Sequence, residues 1–152
     1  MKRIILCMAV SILPQIAPAE TGPRTDGGFR IPSENYRFSF PRDHGSHPDF
    51  KIEWWYITGH LRDSAKQRFG YQATFFRYAL SAYGIETAGL FGTNQLYMAH
   101  MALSDINGRR FFQEERLNRN GWDAMASTND LALKNGNWML RRTTNDVMHL
   151  QA

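Results

Sequence analysis

From Lys51 to Arg62 the chain reads KIEWWYITGHLR, mostly β-branched or aromatic residues, and this predicts a strand of about a dozen residues. Strand side chains alternate in direction. Glu53, Trp55, Ile57 and Leu61 therefore share one face, and Ile52, Trp54, Tyr56, Thr58 and His60 the other. Both faces carry large apolar groups, as expected for a barrel or sandwich wall covered on two sides.

Asp63 to Gln67 is a polar turn, and Arg68 to Leu80 returns as a partner strand. Along it Phe69, Tyr71, Ala73, Phe75 and Arg77 point one way, and Gln72, Thr74, Phe76 and Tyr78 the other. Leu96 to Ile106 forms a further strand with Tyr97, Ala99, Met101 and Leu103 opposite Met98, His100, Ala102 and Ser104. Asn107-Gly108 predicts a type I′ turn that folds Arg109–Arg116 back onto it. Leu131–Lys134 and Asn137–Thr143 form a second tight hairpin across Asn135-Gly136, and a strand is still running at VMHLQA. Upstream, the alternation of Tyr36, Phe38 and Phe40 predicts a short first strand, while Ser81–Asn94, with three glycines and no period, reads as a long loop that could act as a lid. Strands joined by short turns, with little helical periodicity, make the chain all-β, an antiparallel barrel or sandwich.

A length of 152 residues allows one domain with a real core. Residues 1–19 stand apart. A basic start, an apolar run from Ile4 to Ile16 and the small-x-small site Ala17-Pro18-Ala19 predict a secretory signal peptide, and hence a periplasmic or secreted protein. Its removal takes away Lys2 and Arg3 and no acid, so the formal charge falls from +4 to +2. The remaining basic residues form no stripe, which argues against nucleic acid as a partner. The single cysteine, Cys7, leaves with the signal, so the mature chain relies on its core rather than on disulfides. Residues 20–35 form a polar connector, expected to be mobile, before the domain proper at 36–152.

Chemistry-bearing side chains are densest from Asp43 to Leu61. His44 and His47 lie three apart in a loop with Asp43 and Asp49, but no third and fourth metal ligand can be placed. Hydrogen bonds between loop amides and His44 and the aspartates, fixing the entry into the strand, are the better reading, and no metal is assigned. Glu53, beside two tryptophans, is either a carboxyl whose acidity is tuned by an apolar wall or a carboxylate paired with Arg77, Arg62 or His60. The ion-paired reading is preferred. No G-x-S-x-G elbow and no glycine-rich phosphate loop is present, so a hydrolase receives no support from motifs, and no cofactor is called for.

The segments DHGSHPDFKIEWWYITGHLRD, RFGYQATFFRYAL and LYMAHMALSD, within Tyr36–Trp138, resemble the secreted lipocalin-like family that includes carotenoid 1,2-hydratase and the AttH-like proteins described as predicted secreted hydrolases. The resemblance implies a lipocalin-like barrel or sandwich. It also implies that this chain is the truncated amino-terminal half of a two-domain protein, with the second lipocalin-like domain missing. Two functions follow. One is an exported module that binds a hydrophobic small molecule or lipid, with transporter components as partners. The other is a cofactor-independent hydro-lyase that adds water to a carotenoid double bond, for which Glu53, Asp43 and His44 are the candidate catalytic residues. Trp54, Trp55, Phe75, Phe76, Tyr97 and Met101 are the candidate ligand-binding residues, each of which could equally fill a solid core.

Overall fold

A computed structural model describes residues 22–82, 94–144 and 146–152. The signal-peptide expectation and most of the proposed Ser81–Asn94 loop lie outside these residues. Eight strands follow one another as β1 (Ile52–Arg62), β2 (Arg68–Ala79), β3 (Gln95–Asp105), β4 (Arg110–Arg119), β5 (Ala124–Ala126), β6 (Ala132–Asn135), β7 (Trp138–Arg142) and β8 (Met148–Gln151). They form two antiparallel four-stranded meanders, ordered β1-β2-β3-β4 and β5-β6-β7-β8. The sheets do not close into a barrel; the fold is the sandwich alternative.

The core lies between the sheets. Phe75 and Ala99 of the first meet Leu131, Leu133, Trp138 and Leu140 of the second, with Trp55, Ile57, Met101, Ala126 and Leu150 at the margin. Each large side chain buried here contributes about 1.5–3 kcal/mol through removal of apolar surface from water. Asn135 joins the layers: its side-chain amide, 1% exposed, donates to Tyr97 O at 3.1 Å and accepts from Asn118 Nδ2 at 2.6 Å.

Several expectations are corrected. Tyr36–Phe40 is not a strand. It finds no ladder partner among the described residues, and its alternating rings instead form an aromatic series, Tyr36 edge-on to Phe38 and Phe38 stacked on Phe40, that ends on His44 at 4.3 Å. The 20–35 connector is structured where it is described: Arg24 bridges Arg30, and Phe29 is buried. The β3–β4 turn is longer than two residues. Asp105 pairs with Arg110, and Arg109, not Asn107-Gly108, takes the positive φ of 52°. The Asp105 carboxylate directs this, accepting from Gly108 N at 2.7 Å and from Arg110 at 2.8 Å. The β6–β7 turn shifts by one residue, to Gly136-Asn137. Gly136 at φ 65° supplies the positive φ that a type II′ turn needs at its first central position.

The face of β1 bearing Trp54 and Tyr56 is also not covered as expected. These side chains are 61% and 62% exposed, whereas Glu53, Trp55 and Ile57 turn inward. Period-two alternation sorts residues onto two faces but does not say whether the second face meets another layer.

Candidate functional site

Arg77 is the most deeply buried charged residue among the described residues, at 1% exposure, and it gathers the chemistry-rich stretch around itself. Its Nε donates to Glu53 Oε2 at 2.7 Å across the β1–β2 register, and Nη1 donates to Gln95 Oε1 at 2.8 Å on β3. Nη2 donates to the carbonyls of His47 and Phe50, at 3.0 and 2.6 Å. One guanidinium thereby ties three strands to the loop that leads into β1. Its planar fork of donors suits such a junction, which a lysine could not serve.

Glu53 has partners on both oxygens. Oε2 accepts from Ser46 Oγ as well as from Arg77, and Oε1 accepts from the His47 amide at 2.7 Å and lies 2.8 Å from His47 Nδ1. The other ring nitrogen, Nε2, is 3.0 Å from Asp43 Oδ1. Each ring nitrogen of His47 therefore faces a carboxylate oxygen, and the ring bridges Glu53 and Asp43. Asp43 is held down to about 2, first by the Ser39 amide it accepts from at 2.6 Å and then by His47.

The 3-10 turn Arg42–His44 presents Asp43 to this cluster. His44 is tied in mainly by its backbone: its carbonyl accepts from Trp55 Nε1 at 3.0 Å, while its ring rests on Phe40. Gly45 lets the loop touch the second sheet, since a Cβ there would come within 2.9 Å of Ser127 O, and Ser46 N donates to that same carbonyl. Of the candidate catalytic residues, Glu53 and Asp43 are thus joined through His47, and His44 stands beside them. His47, weighed from the sequence only as a metal ligand, is the residue that joins the two carboxylates. Among the described residues no group of three or more His, Cys, Asp or Glu is placed to hold a metal.

The six candidate ligand-binding residues divide. Trp55, Phe75, Tyr97 and Met101 face the second sheet, with Phe75 and Tyr97 buried, whereas Trp54 and Phe76, opposite each other in register, lie on the outer face. Beyond the core the inner face opens into a cleft of about 750 Å³ lined by Met101, Leu103, Phe112, Glu114, Arg116 and Trp138. The register explains it. Met101 stands opposite Glu114 and Leu103 opposite Phe112, so these side chains share the inward face of β3 and β4. Arg116 lies over the Trp138 ring at 4.6 Å, and its buried Nε has no hydrogen-bond partner among the described residues. Only Met101 of this group was singled out from the sequence. The others follow from counting register back from the β3–β4 turn.

The AttH-like family model matches residues 31–152. The chain belongs to the AttH-like family. The crystal structure of a proposed AttH from Nitrosomonas europaea is similar to it, with 32% sequence identity and a TM-score of 0.64 over 79% of this chain. The AttH-like chain spans 35% of that protein's length. No curated protein matches the sequence.

Proposed function

We propose that this AttH-like domain binds an elongated apolar molecule with an anionic head, seated in the cleft between its sheets. The observation that supports the reading is the combination of an apolar floor, Met101, Leu103, Phe112 and Trp138, with Arg116 at the same cleft. Arg116 Nε is desolvated without a hydrogen-bond partner among the described residues, and a carboxylate or phosphate in the cleft would satisfy it. Apolar walls with a few placed polar groups, here Arg116 and the exposed Glu114 carboxylate 3.8 Å from its Nη2, are the usual composition of a small-molecule site. The signal-peptide pattern at 1–19 suits a carrier working outside the cytoplasm, beside transporter components.

The alternative, a carotenoid 1,2-hydratase with Glu53 as proton donor, draws less support. Both Glu53 oxygens are engaged by Arg77, Ser46 and His47, an arrangement that braces a loop rather than presenting a proton to a substrate.

The test is titration of the folded protein with a long-chain fatty acid, followed by tryptophan emission. Saturable binding is expected, and Arg116→Gln should weaken it about tenfold or more while leaving a neutral alcohol of equal chain length unaffected. A flat response to both ligands would overturn the reading.

A further inference from the structure

The outer face of the first sheet carries a second feature, separate from the cleft. Trp54 stands opposite Phe76, Phe76 opposite Met98, and Met98 opposite Leu117, so one unbroken apolar row crosses all four strands. At about 4.8 Å between strands, the row is roughly 15 Å long. The neighbouring row is Ile52, Tyr78 and Leu96, and it ends on Arg119. Trp54 and Leu117 are 61% and 68% exposed, and a groove of about 340 Å³ runs between the two rows.

A soluble surface seldom keeps so large a contiguous apolar patch without a partner. The charges flanking it show which partner fits. Lys51, exposed, lies at one end with Nζ 5.6 Å from the Tyr78 ring, and exposed Arg119 lies at the other. Neither row contains a carboxylate; among the described residues Glu115, one row further along, is the nearest acid on this face by register. Two cations bracketing tryptophan, tyrosine and aliphatic groups match a surface that is apolar inside and anionic at its boundary. Tryptophan and tyrosine rings favour that boundary zone, and lysine and arginine reach its phosphates. Self-association through the same face would instead bring the cations of two copies into one apolar contact, with no acid in either row to offset them.

We propose that this face docks the protein on an anionic lipid surface, with Trp54, Phe76, Met98 and Leu117 entering the interfacial layer and Lys51 and Arg119 meeting lipid phosphates. Apart from Lys51, which precedes β1 and reaches the Tyr78 ring from the end of the row, the residues invoked lie on the side of the sheet away from the cleft, so the proposal does not depend on ligand binding there.

The test is co-sedimentation of the full chain with vesicles of phosphatidylcholine alone and with about a third phosphatidylglycerol. Binding to the anionic vesicles is expected, with at least about tenfold weaker binding to the neutral ones and weakening in high salt. Trp54→Ser/Leu117→Ser and, separately, Lys51→Glu/Arg119→Glu should each reduce binding about tenfold or more while leaving circular dichroism and fatty-acid titration unchanged. Absence of binding to both vesicles, or wild-type binding by both folded variants, would overturn the proposal. So would a concentration-dependent dimer abolished by Trp54→Ser in a protein that ignores vesicles, since the face would then belong to a second copy.

Discussion

Arg77 and Glu53 face each other directly across β1 and β2, 2.7 Å apart, on the inward side of the first sheet. An ion pair in that position is costly to desolvate and is sustained by the further hydrogen bonds around it. Here these run to Gln95, Ser46, His47 and Phe50, so the pair holds the 46–50 loop in place as well as two strands.

Removing one partner strands the other. Arg77→Met is therefore expected to lower unfolding free energy by about 3–5 kcal/mol, measured by urea denaturation. Glu53→Leu/Arg77→Met together should cost clearly less than the sum of the two single changes, because no uncompensated charge remains. Strict additivity would show that the two groups act independently.

Asp43 supplies a pH signature. Its carboxyl sits near 2 in the folded protein against an ordinary value of 3.8, so the folded state binds fewer protons than the unfolded one in that interval. The stabilisation from this group is complete above about pH 4 and is lost as pH falls toward 2. Asp43→Asn should flatten the acid limb of a melting-temperature profile between these values, and an unchanged limb would contradict the assignment.

Asn135 provides a test of how the sheets are joined. It is buried and bonded to Tyr97 O and Asn118, so Asn135→Ala should cost about 1–3 kcal/mol and leave the amide of Asn118 less protected from hydrogen exchange. A loss confined to the second sheet's own ladder would show that the bonds do not couple the layers.

The alternation along Lys51–Leu80 makes the first hairpin legible, including the face that Trp55 shares with Ile57, the face that Phe75 shares with Arg77, and the pairing of Glu53 with an arginine. Less local features are not. Tyr36–Phe40 alternates like a strand, but no strand among the described residues pairs with it, and ring contacts that end on His44 take the place of a ladder. At Asn107-Gly108 the acceptor two residues upstream, Asp105, competes with intrinsic turn preference and wins. β5, at Ala124–Ala126, is three residues long and carries no periodic signal; its pairing with β6 holds it. The cleft depends on how far one sheet overlaps the other, which is fixed by contacts between β3, β4 and β6 far apart in sequence.

The most direct test of cleft binding is a methyl and indole NMR spectrum of the protein titrated with a long-chain fatty acid. The expected result is saturable shifts at Met101, Leu103 and Trp138, with Trp54 and Leu117 unmoved when no vesicles are present. Shifts confined to Trp54 and Leu117, or no shifts at all, would contradict it.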